Sequence, residues 1–584
     1  MWGEPQEKVE EIEIPNLGIF CPEHEARRLF KFLKEGSTPE TLASRAIPFG
    51  PSGLDGWRGY RLVPVTRADI NKPQTAEYLC SLRQGANFPG DSSITVEGSF
   101  TWLREQVLNN ERRILFFVID PNGFKAGHLG LWFRDESTLE LDNVVKDSRN
   151  KAKGVMSEAT KALGRWVDEF IGVEALTLRV TPQNTHAIGF YENLGFEVLA
   201  LDSEWQTMSV ELGSWFPELK QILTAGPSIG PLEVSLVGEA IRTGWNNHHS
   251  DFLASFCSVF GIYEQAEFVI PTDSCTSALH LSLWALGIGP GDEVIVPDIT
   301  WVATAAAVRY VGATPVFADI DQETWCVSPE TVREKITGLT RAVIPVHLYG
   351  FVAEVDKIAE VCDEFGLHMI QDAAPGIGTT IDGKSITNWG EATCFSFQGA
   401  KLLVSGEGGA FVTRNRELYE KALKISDSGR VPGTFWIDEL GKKMKMSNPT
   451  AALALGQVFG VERQINRKRQ IGTWYRESLG QNEAIRFQTE LPRTRSIHWL
   501  TSIQIVKEGV GRENFRAALL NAGVDSRPVF PPISQFPIWE GEHAANPNAI
   551  AIGELSLNLP SGVRLTKRDV ARVSEIIENL LSQN

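Results

Sequence analysis

The sequence has little cysteine, and the cysteines that it has form no metal-binding or disulfide pattern. Only seven occur among 584 residues, and no two are spaced as a CxxC pair. An odd number of cysteines without CxxC pairs is typical of proteins whose thiols stay reduced, as they do in the cytoplasm. We therefore expect a cytoplasmic protein that uses neither disulfides nor a bound metal.

Long apolar runs and basic runs are also missing. No stretch approaches the roughly 18 to 20 apolar residues that cross a bilayer, and the acidic start MWGEPQEKVEEIEI lacks the order of a signal peptide. Lysine and arginine total 56 against 73 aspartate and glutamate residues, which gives a net charge of −17. We expect neither a membrane anchor nor a nucleic-acid partner.

No internal repeat or low-complexity tract organises the chain, which is too long for one hydrophobic core. The text GSWFPELKQILTAGPSIGP, at 213–231, is interrupted by glycine and proline and separates two segments that each alternate strands and helices. The sequence predicts an unassigned extension over 1–57, a first domain over 58–212, a linker over 213–228 and a second domain over 229–584.

The second segment has the pattern of an α/β domain. From residue 267 onward, short β-branched runs such as FVIPT, GPGDEVIVPDIT and LHMIQDAA alternate with helices of about ten residues. This alternation predicts a mainly parallel sheet covered by helices. Ligands of such sheets bind beyond the carboxyl ends of the strands.

Three features of the second segment fall at strand ends. Lys401 stands in the apolar run FSFQGAKLLVSGEGG, where burial would make it a nucleophile unless it reaches water from a strand end. Asp372 ends the strand in HMIQDAAPG, where it could cap a helix or hold a cationic ring nitrogen. TDSCTSALHLSL opens a helix whose N–H groups suit a phosphate or simply receive a cap. Together they meet the needs of pyridoxal phosphate.

From about residue 226 onward the chain resembles the pyridoxal phosphate dependent nucleotide-sugar aminotransferases of the DegT/DnrJ/EryC1/StrS group, which have the aspartate aminotransferase fold (fold type I). The resemblance rests on ordered matches that include SCTSALHLSLWALGIGPGDEVIVP, TWVATAAAV, GATPVFADID, QDAA, FSFQGAK and GEGG. SRPVFPPISQFP and LNLPSG are most similar to perosamine synthases, which aminate C4 of a GDP-linked 4-keto-6-deoxy sugar.

The resemblance implies a role for each matching residue. Lys401 corresponds to the lysine that bonds to the cofactor and moves the proton, Asp372 to the partner of the ring nitrogen, and Trp301 to the aromatic that stacks on the ring. The phosphate donors that it implies are Cys275 (through its backbone), Thr276 and Ser396.

Other positions depart from the family pattern. Lys443 stands where relatives use an asparagine to reach the phosphate of the neighbouring subunit, so the resemblance implies a homodimer with shared sites. Cys275 replaces a glycine, and Pro375 replaces a side chain that meets the ring hydroxyl. Because Lys401 is present where some relatives carry histidine, the resemblance implies amino transfer.

Residues 58–212 resemble a GNAT acetyltransferase, an α+β domain. The match rests on the order of strands and helices and on NTHAIGFYENLGF. In that family the loop before the central helix binds the pyrophosphate of coenzyme A, so Gly154 in KDSRNKAKGVM is implied to bind acetyl-CoA. The resemblance assigns Tyr191 to protonation of the departing thiolate and Asn184 to the cofactor cleft, although a core tyrosine and an N-cap would look the same.

Both resemblances together imply a bifunctional enzyme of amino-sugar biosynthesis. A transaminase makes a primary amine on a keto sugar nucleotide, with L-glutamate as the implied donor, and an acetyltransferase consumes such an amine with acetyl-CoA. The alternative is an aminotransferase whose first domain is a degenerate structural or sugar-binding module. The sequence does not identify the sugar, the nucleotide or the carbon.

Overall fold

The structure, a computed structural model, describes residues 14–35, 45–49, 59–85, 94–216, 219, 221–431, 433–539 and 546–583. Contacts divide them into two units. The first unit contains 21–216 and 229–235, and the second contains 14–20, 219–228 and 236–583. Most of the predicted extension 1–57 and the start of the predicted first domain at 58 lie outside the described residues.

The first unit is built on one eight-stranded sheet with helices on both faces. Its strands β1 to β8 are Ile47–Pro48, Arg61–Pro64, Arg113–Ile119, Lys125–Phe133, Leu139–Lys146, Ala175–Val180, Glu197–Leu201 and Gln206–Glu211. Its helices α1 to α5 are Pro22–Lys34, Pro73–Gly85, Val96–Trp102, Val155–Phe170 and Thr185–Glu192. Side chains alternate along β3, so that one set packs into a core with α1 and α4 and the other set packs into a core on the opposite face of the sheet.

Two neighbouring strands of this sheet diverge. β5 and β6 run parallel but pair only at Glu140 and Thr177, whereas β3, β4 and β5 form a long antiparallel ladder. The six residues of β5 that follow Glu140 have no partner on β6. A wedge therefore opens between β5 and β6 toward the loop that enters α4.

The second unit has one seven-stranded sheet and two smaller sheets, of four and three strands. Its strands β9 to β22 are Phe268–Thr272, Glu293–Pro297, Thr314–Ala318, Thr340–Val343, His368–Asp372, Thr380–Ile381, Lys384–Ser385, Ala392–Ser396, Gly409–Thr413, Ile485–Phe487, Thr494–Arg495, Ser502–Ile505, Arg527–Pro528 and Ser556–Asn558. Helices α7 to α17 are Asp251–Tyr263, Cys275–Leu286, Ala303–Tyr310, Pro329–Arg333, Val355–Phe365, Arg416–Ser426, Asn448–Phe459, Val461–Leu479, Arg512–Asn521, Pro547–Leu555 and Lys567–Gln583, and α6 is Pro231–Thr243.

The large sheet confirms the predicted mainly parallel architecture. Its order is β11-β10-β12-β13-β16-β17-β9, and β17 alone runs against its neighbours β16 and β9. The carboxyl ends of β13 and β16 therefore lie side by side, with Asp372 paired to Cys394. Among the helices that the structure describes, none combines the length and the apolar character needed to cross a membrane.

Candidate active site

Lys401 lies in a loop that the β16–β17 hairpin holds closed. The N–H of Gly399 donates to Gly406 O at 2.9 Å, and the N–H of Lys401 donates to Gln398 O at 2.8 Å. At the base of the loop, Phe395 and Phe397 are fully buried against the aromatic side chains of α7. Because side chains alternate along β16, Ser396 points to the opposite side from these two rings.

Asp372 ends β13 as a buried carboxylate with two good donors. Thr304 donates its hydroxyl to Oδ2 at 2.7 Å, and the N–H of Ala374 donates to Oδ1 at 3.0 Å. Burial raises the pKa of Asp372, while these hydrogen bonds and the charge of Lys401 lower it in part. A cation placed against this carboxylate would offset the remaining cost of burying its charge.

The strand that carries Asp372 is fixed by a buried polar network. The amide of Gln371 donates to Ile386 O at 2.8 Å and to Trp389 O at 2.6 Å, and its Oε1 meets His347 Nε2 at 3.0 Å. Burial lowers the pKa of His347 to about 4, so the ring is neutral at neutral pH. The network places Asp372 without adding charge beside it.

The N-terminus of α8 presents backbone N–H groups at the same sheet edge. Ser274 caps it by accepting from the N–H of Ser277 at 3.1 Å, and Cys275 is the first helical residue. Gly409, which pairs with Ser396, permits this approach, because a Cβ there would lie 2.4 Å from the nitrogen of Cys275. Ser396 and the start of α8 thus converge, with Thr276 on the first turn.

Asp372 interacts with two other predicted residues. The Cys275 thiol lies 3.9 Å from Asp372 Oδ1, and the charge of Asp372 acts on Lys401. Burial lowers the pKa of Lys401, and the charge of Asp372 raises it in part. The amine is therefore easier to deprotonate than an exposed lysine.

Trp301 lies at the edge of the same site. Its carbonyl is on the turn that leads to Thr304, the donor to Asp372, and its side chain is 63% exposed. The ring packs at 5.9 Å against Phe530, and one large aromatic surface is left open. An exposed indole next to a buried carboxylate can stack on a planar ring.

Lys443 is not brought to these residues within one chain. Its side chain is exposed, and its backbone pairs with Asp427. Among the described residues, no hydrogen bond or ion pair joins it to Asp372 or Lys401. Pro375 is buried behind Asp372, and its carbonyl lies 3.1 Å from where a Cβ of Gly350 would stand.

Sequence reasoning missed Thr304 and Trp499. Thr304 follows Trp301 by three residues in TWVATAAAV, so helical spacing could have suggested that it shares the site edge. Trp499 places its ring 4.1 Å from Lys401 Nζ. No local pattern predicts that contact, because 98 residues separate Trp499 from Lys401 along the chain.

In the first unit, α4 begins without a side-chain cap. Gly154 occupies the N-cap with φ +76°, a conformation that glycine adopts at little cost. Lys146 donates to Ala152 O at 2.9 Å and braces the loop, while Lys151 and Lys153 are exposed. Backbone N–H groups without a side-chain cap, beside two exposed lysines, suit an anion such as a pyrophosphate.

Tyr191 lies near the wedge between β5 and β6. Burial raises the pKa of Tyr191, with a further rise from the charge of Asp142, which is two residues beyond the last β5–β6 pair. Its phenol therefore stays protonated at neutral pH and can act as an acid. Phe190 and Phe196 fix the ring at centroid distances of 5.3 and 5.6 Å.

Asn184 is the N-cap of α5. Its side-chain oxygen accepts from the N–H of Ala187 at 3.1 Å. This hydrogen bond is a complete structural reason for an asparagine at this position.

The residues around Asp372 and Lys401 fit pyridoxal phosphate by their chemistry. A buried carboxylate of raised pKa matches a pyridinium nitrogen, an amine of lowered pKa matches an aldehyde, and Ser396 with the N–H groups of α8 matches a phosphate.

Two sequence families match the chain. The model of the DegT/DnrJ/EryC1/StrS aminotransferase family matches residues 227–578. The model of an acetyltransferase (GNAT) domain matches residues 60–197.

Curated relatives and solved structures cover the same three fifths of the chain. The chain is 33% identical to GDP-perosamine synthase of Escherichia coli O157:H7 over 62% of its own length and 100% of that protein. It is 34% identical to GDP-perosamine synthase of Vibrio cholerae over 60% of its own length and 97% of that protein. A similar structure is that of the aminotransferase TlmJ from Streptoalloteichus hindustanus, with 28% identity and a TM-score of 0.59 over 62% of this chain and 100% of that one. Another is the PLP form of the putative sugar aminotransferase Spr1654 from Streptococcus pneumoniae, with 25% identity and a TM-score of 0.58 over 62% of this chain and 99% of that one.

Proposed function

The chain belongs to the DegT/DnrJ/EryC1/StrS aminotransferase family, and from this premise we propose that it aminates a keto sugar nucleotide and then acetylates the new amine. The family membership, the aminotransferase fold and the GNAT domain match confirm what the sequence predicted. Pyridoxal phosphate is the cofactor of this class of enzyme. The sugar, the second reaction and the roles of individual residues are our proposal.

The observation that supports the amination is the electrostatic interaction between Lys401 and Asp372. An amine whose pKa is lowered by burial and a carboxylate whose pKa is raised by burial act on each other across one sheet edge. Groups perturbed in opposite directions by a shared environment are typical of catalytic sites.

Each residue of the site has one task in this proposal. When bound, pyridoxal phosphate supplies an aldehyde and an electron-accepting ring that carry the amino group from donor to acceptor. Asp372 keeps the ring nitrogen protonated, and Trp301 stacks on the ring. Ser396, Thr276 and the N–H of Cys275 bind the phosphate. Lys401 would remove the proton from Cα of the amino donor and pass it to the cofactor.

The substrates of the amination follow from the relatives. Two GDP-perosamine synthases are about one third identical over nearly their whole length. We propose a 4-keto-6-deoxy sugar nucleotide as amino acceptor and L-glutamate as donor. Lys443 is proposed to meet the phosphate in a neighbouring subunit of a homodimer, where its ammonium would act as a point charge.

The acetylation is assigned to the wedge of the first unit. The amine attacks the thioester carbonyl of acetyl-CoA, so that a C–N bond forms and the C–S bond breaks. The amine gives its proton to water, and Tyr191 protonates the thiolate and recovers a proton from water. Gly154 and the uncapped start of α4 bind the pyrophosphate.

One incubation tests both halves. Purified protein is mixed with glutamate, acetyl-CoA and a panel of 4-keto-6-deoxy sugar nucleotides, and the products are analysed by mass spectrometry. We expect a product that carries an acetamido group in place of the keto oxygen. Amination with acetyl-CoA untouched would leave the first unit as a structural or sugar-binding module, for which the capping role of Asn184 already gives one reason.

A further inference from the structure

The free end of Lys401 rests on an aromatic ring. Its Nζ lies 4.1 Å from the ring centroid of Trp499, within the range at which an ammonium is attracted by the ring face. Trp499 is 7% exposed, so little water competes for this contact. The attraction acts on the charged amine and hardly on the neutral amine.

Trp499 is held at three points. Its indole N–H donates to Ala400 O at 3.0 Å, next to Lys401 itself. Its carbonyl accepts from Lys468 Nζ at 2.9 Å. On its other side Gly350 has φ +87°, and a Cβ there would lie 2.8 Å from the nitrogen of Trp499. A ring fixed in this way cannot turn its face away from the lysine.

Two titratable groups of the described residues act on Lys401. Asp372 attracts the ammonium, but a cationic ring nitrogen would use the same carboxylate. The Cys275 thiol stays protonated because burial raises its pKa. The face of Trp499 is the remaining stabilising element that does not compete with the cofactor.

We propose that Trp499 is a positioning residue that stabilises the ammonium form of Lys401 once the lysine has taken the proton from Cα of the donor. The role in catalysis rests on the proposed aminotransferase function. Lys401 would take the proton from Cα of the donor and deliver it to the cofactor carbon that carries the amino group, and in the second half-reaction it would move a proton from that carbon to the carbon of the keto sugar that receives the amine. Between the uptake and the delivery of each proton, the ring face of Trp499 would keep the ammonium beside these carbons.

The test uses the cofactor-free full-length protein, so that its readout is independent of turnover. Labelling of Lys401 by an amine-reactive reagent is followed against pH by mass spectrometry of the peptide, since only the neutral amine reacts. We expect Trp499→Leu to lower the labelling pKa of Lys401 by about one pH unit, as a cation–π energy of about 0.5–2 kcal/mol implies. Labelling of the exposed Lys421 serves as the internal control.

A second variant separates the ring face from the indole hydrogen bond. Trp499→Phe loses the bond to Ala400 but keeps a weaker aromatic face, so its labelling pKa should lie between those of the wild type and Trp499→Leu. Equal shifts in both variants, or no shift in either, would overturn the proposal. If Trp499→Leu fails to fold, the comparison of Trp499→Phe with the wild type still decides, because an unchanged labelling pKa there contradicts it.

The outcome is distinguishable from failure of the proposed function. Pyridoxal phosphate binding is measured separately, by the visible absorption of the wild-type protein. Unchanged labelling with normal cofactor binding removes the role of Trp499 alone. Shifted labelling without cofactor binding removes the aminotransferase proposal and leaves the lysine–tryptophan contact as a physical fact.

Discussion

Burial opposes the charged forms of both Lys401 and Asp372, and each partly relieves the other. The pKa of the lysine is lowered and that of the aspartate is raised, with desolvation as the largest cause in both cases. The site therefore keeps an amine ready to lose its proton beside a carboxylate ready to accept a cation. Thr304 strengthens the second property, since its hydroxyl donates to Asp372 Oδ2.

Thr304→Val should weaken cofactor binding. The change keeps the shape but removes a 2.7 Å donor from a buried carboxylate, and hydrogen bonds to charged groups contribute about 1.5–3 kcal/mol. We expect affinity for pyridoxal phosphate to fall by roughly 10- to 100-fold, measured by absorbance titration. Thr304→Ser, which keeps the hydroxyl, is the control and should bind nearly as the wild type does; an equal loss in both would contradict the role of this hydrogen bond.

Sequence reasoning reaches the residues that stand in their own local motif. Lys401 in FSFQGAK and Asp372 in HMIQDAA are conspicuous because a charged group follows an apolar strand. Thr304 and Trp499 were missed because their importance lies in contacts across the fold. The residues around Thr304 in the sequence do not indicate its contact with Asp372, 68 residues away. Those around Trp499 do not indicate its contact with Lys401.

At the scale of elements, the approach of α8 to β17 determines whether a phosphate site can form. The nitrogen of Cys275 lies so close to Gly409 that no side chain fits between them. A glycine in a strand often marks a close approach of other backbone, and here the helix N-terminus makes that approach.

Gly409→Ala should displace the start of α8. The added Cβ would lie 2.4 Å from the nitrogen of Cys275 and 2.7 Å from Phe395 O, both backbone atoms that cannot rotate away. Overpacking of this kind costs typically about 1–3 kcal/mol of stability, and we expect weaker phosphate and cofactor binding in equilibrium titrations.

Gly399→Ala is the matched control in the same hairpin. The nearest atom to its added Cβ is Gly406 O at 3.7 Å, an ordinary contact. If both variants bind the cofactor alike, the close packing of Gly409 against α8 does not form the phosphate site.

The elements themselves were well predicted where apolar runs are bounded by turns. FVIPT is strand β9 residue for residue, and strand β10 lies within the run GPGDEVIVPDIT. The pattern does not reveal that β17 runs against its neighbours, because strand direction depends on the connection through the Lys401 loop.

Helix α14 carries a buried lysine that should make stability depend on pH. Burial lowers the pKa of Lys468 to about 7, against about 10.4 for a free lysine. Between these values the unfolded chain binds a proton that the folded chain does not, so the contribution of Lys468 to stability rises with pH, by at most about 1.4 kcal/mol per pH unit.

Lys468→Met should remove this rise. We expect hydrogen-exchange protection of α14 to gain less between pH 7 and pH 10 in the variant than in the wild type. The exposed Lys421→Met is the control and should leave the pH dependence of the wild type intact. An equal pH dependence in Lys468→Met and the wild type would contradict the lowered pKa.

At the scale of the whole molecule, two family matches share one chain. The matches to an aminotransferase and to a GNAT domain were foreseen from the order of motifs, because each half carries its own complete pattern. The extension 1–57 carries no motif and stayed unassigned. The division of the chain at 58, 212 and 228 remains a prediction beside the two units that the contacts define.

The two reactions should be separable by single substitutions. Lys401→Ala should abolish the visible absorption of lysine-bound cofactor and reduce amination by about 10²- to 10⁴-fold, the usual contribution of an acid–base group. It should still acetylate an added amino sugar nucleotide. Tyr191→Phe should aminate normally and acetylate slowly, as product analysis by mass spectrometry will measure. Loss of both activities in either variant would contradict two independent sites.

The short segment before α1 has a consequence for any attempt to divide the protein. The N–H of Gly18 donates to Glu462 Oε1 at 2.9 Å, a fully buried carboxylate that Tyr263 and Arg495 also bind. The second unit therefore includes residues 14–20, which the first unit separates from the rest of the second unit along the chain. An aminotransferase fragment that starts at the linker would leave that carboxylate short of a donor, so residues 14–20 should be supplied with it.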